Sequence, residues 1–351
     1  MLEATHARRL FHFKEPAATS RGVMTTRESW FVKVWERGFP ERAGVGECAL
    51  FRGLSAEDRP GYEELLAAAC ARVNDFHAGE WRACSSVCLG METALADLRH
   101  GGERRPFPSP FTRGEREIEI NGLVWMGDRE RMARRVEEKL AAGFRCLKVK
   151  VGGIDFGEEL EMLREIRSRF PAGTLQLRLD ANGAFSPATA RGKLEALARL
   201  DIHSIEQPLR RGAWRETRAL IADSPVPVAL DEELIGIVTR AGKVEMLDSL
   251  SPRYIVLKPT LAGGFASCDE WIALAAERGI GWWVTSALES NVGLNAIAQW
   301  CATRGGELPA GLGTGELYTD NIPSPLARRG SALAFDPAGA WDLQTLFPTP
   351  S

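Results

Sequence analysis

The chain has 351 residues, of which 44% are hydrophobic and 26% charged, with a formal net charge of −3 and a pI of about 6.1. This composition is typical of a globular protein with a large core, and it excludes a nucleic-acid-binding protein with a basic surface. No apolar run reaches the length of a membrane span, and the N-terminus lacks the apolar core of a signal peptide. The seven cysteines are scattered without a CxxC pair. We therefore expect a cytoplasmic protein with reduced thiols and with no nucleic-acid or membrane partner.

The first hundred residues predict a small domain of mixed α and β structure. Residues 30–34 alternate like a strand, and residues 44–47 read as a turn into another strand. Helices are predicted at 62–76 and 85–98, with loop-like stretches at 15–22 and 52–61. The segment 101–116 is rich in Pro, Gly and charged residues, which is typical of a domain boundary. We predict an N-terminal domain over residues 1–110.

From residue 117 the sequence alternates between short apolar runs and longer amphipathic stretches. This rhythm indicates parallel βα units, and about eight strands in about 200 residues favour a closed (β/α) barrel over residues 111–315. No GxGxxG motif follows a strand, which argues against a dinucleotide site. The Pro-rich tail, residues 316–351, is predicted to pack on the N-terminal domain. Strands are predicted at 117–124, 146–151, 175–180, 202–206, 226–230, 254–258, 282–285 and 310–312, and helices at 129–142, 158–169, 187–200, 214–222, 265–278 and 294–301.

Carboxylates end three successive predicted strands of the barrel. Asp180, Glu206 and Asp231 each follow an apolar run, and about one βα unit separates each from the next. The carboxyl ends of barrel strands lie on one face, where the chemistry of such proteins is found. Three converging carboxylates would recruit a cation, and oxygen ligands with open positions suit Mg²⁺. The alternative is that each acid caps the following helix, which is a weak explanation for three consecutive units.

Two lysines share one face of the predicted strand in the segment CLKVKVG. Lys148 and Lys150 are two residues apart, so their side chains point the same way. Lys258 ends another strand beyond Asp231, so lysines flank the carboxylates on both sides. Nearby cations should lower the pKa of these ammonium groups. A neutral Lys150 can then remove a proton from a carbon next to a carboxylate.

The ordered motifs KVK, DANG, EQP, DE and LKP resemble those of the enolase superfamily, in its muconate-lactonizing-enzyme-like subgroup. Within that subgroup, the segments SALESNVGLNAIAQW at 286–300 and GLGTG at 311–315 resemble the o-succinylbenzoate synthases of menaquinone biosynthesis. The resemblance covers nearly the whole chain. It implies an α/β fold: a modified (β/α)7β TIM-type barrel with an α+β capping domain, built from the N-terminus and completed by the C-terminal tail.

The resemblance also implies a role for each motif residue. Lys150 corresponds to the catalytic acid/base, Lys148 to its partner, and Lys258 to the lysine that stabilises negative charge from the opposite face. Asp180, Glu206 and Asp231 correspond to ligands of Mg²⁺ or Mn²⁺. The remaining matches are two supporting residues near the metal, Asn182 and Glu232, and three substrate-binding residues, Ser286, Gly311 and Gly313.

The implied activity is that of a lyase acting on a small-molecule carboxylate. Lys150 would remove the proton alpha to the metal-bound carboxylate of 2-succinyl-6-hydroxy-2,4-cyclohexadiene-1-carboxylate, and syn loss of water would give o-succinylbenzoate. Loops near residues 19–24 and 52–55 are expected to cover the site and select the substrate. One alternative is a racemase of N-succinylamino acids or a dipeptide epimerase, in which Lys150 and Lys258 act as two bases. Others are a Schiff-base lyase, which leaves the carboxylates unexplained, and a non-catalytic binding barrel.

Overall fold

The structure, a computed structural model, describes residues 1–19, 22–125 and 127–347. Its N-terminal part is a three-stranded antiparallel sheet in the order β1-β2-β3, with helices packed on it. Trp30, Val32 and Val34 point from the sheet into an apolar cluster with Leu66 of α1 and Met91 of α3. The elements are β1 (Leu2–Thr19), β2 (Gly22–Glu36), β3 (Phe39–Cys48), α1 (Tyr62–Ala71), α2 (Ala78–Trp81) and α3 (Ser85–Arg99).

Two expectations for this region are wrong. The stretch 15–22, expected as a loop, belongs mostly to β1, which continues to Thr19 opposite Gly22; Ser20 and Arg21 lie outside the described residues. Residues 44–47, expected as a turn, lie inside β3. Glycine is needed there because α3 crosses the strand closely: a Cβ on Gly46 would lie 1.9 Å from the Gly90 carbonyl oxygen.

The rest of the chain forms the predicted barrel, and the fold class is confirmed. In the described part of the chain, seven parallel strands lie in the order β5 to β11, and single bridges from Ala310 to Ile120 and from Gly311 to Thr285 join the two edges. The elements are β4 (Ile118–Glu119), β5 (Gly122–Val124), α4 (Arg129–Ala141), β6 (Cys146–Lys150), α5 (Phe156–Arg169), β7 (Gln176–Asp180), α6 (Pro187–Ala198), β8 (Ser204–Glu206), α7 (Trp214–Ala222), β9 (Val228–Leu230), α8 (Arg240–Leu250), β10 (Tyr254–Leu257), α9 (Gly264–Ala276), β11 (Gly281–Val284) and α10 (Asn291–Arg304).

Local sequence explains where the barrel elements begin. Asp128 and Asp155 precede α4 and α5, and their carboxylates accept hydrogen bonds from backbone N–H groups of the first helical turn. Pro187 occupies the first turn of α6, where a missing N–H costs nothing. The helix α8 was not predicted, because its sequence, RAGKVEMLDSL, has only a weak amphipathic pattern.

The predicted strand at 117–124 is in fact two strands with different partners. The segment β4 pairs with the C-terminal hairpin of β12 (Leu326–Arg329) and β13 (Ala332–Phe335), whereas β5 pairs with β6. The chain changes partners at Ile120 and Asn121, whose N–H groups donate to Ser331 and Ala310. A single run of strand-like residues does not show this change of partners, because both halves have the pattern of a strand.

The C-terminal tail contacts both halves of the molecule. Tyr318 packs against Phe11, with ring centroids 5.2 Å apart, and Lys14 donates its backbone N–H to the Leu317 carbonyl. The hairpin of β12 and β13 instead pairs with β4, just before the first barrel strand. The division of the chain at residues 110 and 315 stays a prediction.

Candidate active site

Both faces of β6 are buried, but one face is apolar and the other carries two lysines. Leu147 and Val149 pack outward into the core between barrel and helices, so Lys148 and Lys150 point into the barrel. Burying an ammonium group is costly unless carboxylates surround it. The neighbouring strands supply them, since Lys150 lies beside Asp180 and Asp180 beside Glu206 in the register of β6, β7 and β8.

Each ammonium group contacts a carboxylate directly. Lys148 Nζ lies 2.6 Å from Glu206 Oε1 and 2.8 Å from Asp180 Oδ2, and Lys150 Nζ lies 2.6 Å from the same Asp180 oxygen. Across the barrel, Lys258 follows β10 and contacts Asp231, which follows β9. The structure therefore brings the three predicted lysines and three predicted carboxylates into one buried network.

The two lysines of β6 have pKa values shifted in opposite directions. Burial alone would lower the pKa of Lys148, but the two carboxylates that it contacts, Asp180 and Glu206, raise it above the ordinary lysine value. The pKa of Lys150 is lowered, first by burial, with Asp180 opposing and the Lys148 charge adding to the decrease. Burial would also lower the pKa of Lys258, but Asp231 raises it, so the expected decrease in pKa is wrong for Lys258 as it is for Lys148.

The pKa values of the three carboxyl groups are also shifted in different directions. Burial, followed by the Asp180 charge, raises the pKa of Glu206 well above its usual value. For Asp180, burial acts in the same direction, but the lysine charges lower its pKa. Burial likewise works to raise the pKa of Asp231, and the Lys258 charge outweighs it.

The predicted supporting residues connect the lysine network to the next strand end. Asn182 Oδ1 accepts a hydrogen bond from Lys150 Nζ at 2.6 Å, and its Nδ2 donates to Glu232 Oε1 at 2.9 Å. The Asn182 backbone N–H also donates to Asp180 Oδ1 at 3.0 Å, with φ of +44°, a left-handed conformation that Asn tolerates better than most residues.

A side chain of the EQP motif has a structural role that the sequence did not reveal. Gln207 is buried, and its Oε1 accepts from the backbone N–H groups of Asp231 and Glu233 at 3.2 and 3.3 Å. Its Nε2 donates to Glu233 Oε2 at 3.1 Å. Gln207 therefore fixes the position of the chain that carries Asp231. Only the fold brings these groups together, because about one βα unit separates them in sequence.

The three carboxylates fit a divalent cation by their chemistry and position. They supply only oxygen atoms, and Glu206 Oε2 is buried without a hydrogen-bond partner among the described residues. Among the described residues, however, no three acidic, His or Cys side chains are arranged as a ready metal site. The reason is visible in the ion pairs, since each carboxylate contacts an ammonium group. The metal site stays a prediction.

A cleft opens above the network. Lys150 and Lys258 lie on its walls, as do the predicted substrate-binding residues Ser286, Gly311 and Gly313. Other polar lining comes from Asn121, Thr285 and Thr314, which the sequence did not single out. The apolar lining includes Met24, Phe51 and Leu54 of the N-terminal part together with Leu123, Trp125, Leu261 and Leu288.

The three predicted substrate-binding residues have different contacts in the structure. Ser286 follows β11, and its hydroxyl lies 2.7 Å from the Thr314 hydroxyl. Gly311 has a packing reason to be glycine, since a Cβ there would lie 2.1 Å from Thr285 Oγ1. A Cβ on Gly313 would lie 3.2 Å from Ile120, a tight contact. Of the two stretches expected to cover the site, Met24, which lies in β2, and Leu54 line the cleft.

Residues 131–334 match the family model described as Enolase C-terminal domain-like, which covers more than half of the chain. The chain therefore belongs to the enolase superfamily. An o-succinylbenzoate synthase from Desulfotalea psychrophila is 44% identical over 95% of this chain and 98% of its own length. Within the superfamily, the chain belongs with the o-succinylbenzoate synthases.

Solved structures agree with this placement. The crystal structure of MenC from Desulfotalea psychrophila matches with a TM-score of 0.82 and 42% identity, covering 95% of this chain and 99% of that one. A dipeptide epimerase from Enterococcus faecalis, complexed with Mg and the dipeptide L-Leu-L-Tyr, has a TM-score of 0.81 at 18% identity over 96% and 97% of the two chains, a likeness of fold alone. The L-Ala-D/L-Glu epimerase of Bacillus subtilis is 30% identical over 53% of this chain and 50% of its own length.

In the described part of the chain, no helix has the length and apolarity needed to cross a bilayer.

Proposed function

We propose that the protein is an o-succinylbenzoate synthase. It converts 2-succinyl-6-hydroxy-2,4-cyclohexadiene-1-carboxylate to o-succinylbenzoate and water in menaquinone biosynthesis. The observation that carries the choice of reaction is the 44% identity to a synthase over nearly the full length of both chains, whereas the Bacillus subtilis epimerase matches only about half of each chain. The lysines on the walls of the cleft support a reaction that begins with proton removal.

Lys150 is the acid/base of this proposal. As a neutral amine it takes the proton from the carbon alpha to the ring carboxylate. As an ammonium group it then gives a proton to the departing hydroxyl, which leaves as water while the ring becomes aromatic. A single lysine serves both steps because proton removal and hydroxyl loss occur on one face of the ring. Burial and the Lys148 charge lower the pKa of Lys150, which favours the neutral form that the first step needs.

Lys258 approaches from the other side of the barrel. Three strands separate β6 from β10, so a substrate in the cleft lies between Lys150 and Lys258. Burial would lower the pKa of Lys258, but Asp231 raises it and keeps the group an ammonium ion. A fixed positive charge in this place stabilises the negative charge that develops on the ring carboxylate.

Asp180, Glu206 and Asp231 would hold Mg²⁺ or Mn²⁺, and a bound divalent cation would supply Lewis-acid stabilisation of the substrate carboxylate. The orphaned Glu206 oxygen supports this assignment. With Lys150 neutral, the ammonium groups of Lys148 and Lys258 balance two of the three carboxylates. A dication would therefore give the site a net positive charge, which suits a substrate with two carboxylates.

The cleft lining is also consistent with the substrate. The apolar side chains suit a cyclohexadiene ring and a succinyl chain, and the Ser286 hydroxyl is available to its second carboxylate. Asn182 and Glu232 keep Lys150 in place, and Gly311 and Gly313 lie on the cleft wall. All seven cysteines are free thiols, which supports the proposed cytoplasmic location.

The second candidate is racemisation of an N-succinylamino acid, which the same pair of lysines could carry out by exchanging protons on opposite faces. An N-succinylamino acid racemase from Thermus thermophilus is 33% identical over 58% of this chain. A Schiff-base lyase is a poorer candidate. It gives no role to the three carboxylates that neighbouring strands place beside the lysines.

One experiment separates these functions. The purified protein is assayed with Mg²⁺ on the cyclohexadiene carboxylate and, in parallel, on N-succinyl-L-phenylglycine. We expect dehydration with a larger kcat/KM than racemisation. Replacing Lys150 by alanine should abolish dehydration while the circular dichroism spectrum is unchanged. Dehydration that is absent in the wild type, or that persists at the wild-type rate in Lys150→Ala, would contradict the proposal.

A further inference from the structure

The loop that carries Ser286 contains a backbone conformation that needs support from surrounding residues. This β11–α10 loop, residues 285–290, lines the cleft with Thr285, Ser286, Ala287 and Leu288. Leu288 has a φ of +64°, a left-handed conformation that is unfavourable for a leucine. Such a conformation persists only where surrounding contacts enforce it. The contacts of this loop therefore decide where the Ser286 hydroxyl lies.

The barrel side and the C-terminal tail hold the first part of the loop. Glu289 is fully buried, and its carboxylate accepts hydrogen bonds from the Ala287 backbone N–H at 2.8 Å and from the Thr260 hydroxyl. Tyr318 of the tail donates its hydroxyl hydrogen to the Leu288 carbonyl at 2.7 Å. These bonds fix Ala287 and Leu288. The tail also reaches the first residue of α10, since Asn291 donates its backbone N–H to Asn321 Oδ1 at 3.0 Å and its side-chain Nδ2 to the Ile322 carbonyl at 2.7 Å.

From the N-terminal sheet, one carboxylate contacts the junction of the loop with α10. Glu47 lies in β3 and is 1% exposed. Its Oε1 accepts from the Ser290 backbone N–H at 3.0 Å and from the Ser29 hydroxyl at 2.7 Å. Its Oε2 accepts from the Ser290 hydroxyl at 2.5 Å and from the Gly293 N–H at 2.8 Å. All four hydrogen bonds run toward the carboxylate, so only an ionised glutamate satisfies them together.

The position of Glu47 adds an electrostatic contribution. Ser290 and Gly293 lie at the N-terminus of α10, where unpaired N–H groups and the helix dipole favour a negative charge. Glycine at 293 allows the approach, because a Cβ there would lie 2.9 Å from Glu47 Oε2. Glu47, a residue of the N-terminal sheet, thereby caps the N-terminus of the barrel helix α10.

We propose that Glu47 is a positioning residue for substrate binding: it fixes the β11–α10 loop through Ser290 and Gly293, and thereby places the Ser286 hydroxyl in the cleft. The inference rests on the proposed function for the identity of the substrate. The loop ordering itself does not depend on that function. The N-terminal sheet then contributes to the site by shaping a barrel loop, in addition to the side chains that it places on the cleft wall.

The test compares two buried carboxylates of the N-terminal part. In Glu47→Gln, the new NH2 group cannot accept a hydrogen bond from the Gly293 N–H. Asp97→Asn is the control: Asp97 is equally buried, accepts from the Val45 and Arg105 N–H groups and pairs with Arg104 at 2.6 Å, and it has no described hydrogen bond to residues 285–293. The readouts are amide hydrogen exchange over residues 287–293 and the KM and kcat of dehydration.

For Glu47→Gln we expect at least tenfold faster exchange in the loop and a KM raised about tenfold, with kcat within about threefold of wild type. Asp97→Asn should leave both readouts near wild type. Equal effects of the two variants, or unchanged loop exchange in Glu47→Gln, would overturn the inference.

Ser290→Ala provides a second route if Glu47→Gln does not fold. It removes the hydroxyl that donates to Glu47 and leaves the carboxylate in place, and it should raise loop exchange and KM in the same direction. Unchanged values would count against the inference. Because hydrogen exchange needs no substrate, a wild-type protein that does not dehydrate the cyclohexadiene carboxylate would refute the proposed function while loop ordering is still measured.

Discussion

Replacing Lys148 by methionine tests whether one lysine of the buried network tunes the other. Methionine retains much of the length of lysine without its charge. Lys148 Nζ and Lys150 Nζ lie 2.8 Å and 2.6 Å from the same oxygen of Asp180, so the two nitrogens are no more than about 5.4 Å apart. At an effective dielectric constant of about 20, two unit charges at this distance repel by about 3 kcal/mol. That repulsion favours the neutral form of Lys150, so its loss should leave Lys150 protonated at higher pH.

The expected consequence is a change in the pH dependence of kcat/KM. A free-energy difference of about 3 kcal/mol corresponds to roughly a hundredfold, so kcat/KM at neutral pH should fall by up to that factor. It should recover as the pH rises and Lys150 loses its proton, which moves the rising part of the profile to higher pH. The measurement is kcat/KM for dehydration across the range from about pH 6 to pH 10 at saturating Mg²⁺.

Two control variants distinguish the loss of the Lys148 charge from a general loss of stability. Lys148→Arg keeps the positive charge and should keep the rising part of the profile near its wild-type position, even if kcat is reduced. Lys243→Met removes a fully buried lysine that contacts Glu270 outside the cleft, so it should lower stability without moving the profile. A Lys148→Met profile that keeps the wild-type pH dependence at a uniformly lower rate would refute the electrostatic argument.

Three further predictions address other parts of the molecule. Lys258→Ala should lower kcat by about 10²-fold or more in steady-state assays, because one stabilising charge is lost. Asp180→Asn should weaken Mg²⁺ binding in calorimetric titrations, and EDTA should abolish wild-type activity; full activity in EDTA would contradict the metal assignment. Burial raises the pKa of Glu92 to about 7, so the native state binds this proton more tightly than the unfolded chain. Between pH 5 and pH 8, the free energy of unfolding of the wild type should therefore fall by up to about 3 kcal/mol relative to that of Glu92→Gln. Denaturant titrations at several pH values measure this difference.

The sequence indicated the network because its members obey a simple geometric rule. Asp180, Glu206 and Asp231 each follow a strand, and parallel strands one βα unit apart place such residues at the same edge of the sheet. The lysines on β6 follow from strand alternation. The fold class could be predicted for the same reason, since βα repetition is visible in a single sequence.

Residues that depend on long-range contacts could not be found this way. Glu47 lies in a buried strand of the N-terminal sheet, and nothing near it in sequence indicates that it caps α10, which begins more than 240 residues later. Gln207 acts on the backbone of the next strand end. Residues 44–47 were expected as a turn, but their two glycines allow α3 to pack closely on the strand. Close packing of this kind leaves no periodic pattern in the sequence. Such contacts belong to the tertiary structure alone.

The network also explains why two lysines on one strand face can differ in protonation. Both are buried, and both contact Asp180, yet Lys148 has Glu206 as its second partner whereas Lys150 has the amide oxygen of Asn182. A second carboxylate favours the ammonium form, while an amide supplies a hydrogen bond with no net charge. The pKa of Lys150 is lowered by burial and then by Lys148, in spite of Asp180, and the neutral Asn182 side chain adds no full charge to oppose that decrease. A pair of like residues thus becomes one fixed charge and one titratable base, because only one of them has two anionic neighbours.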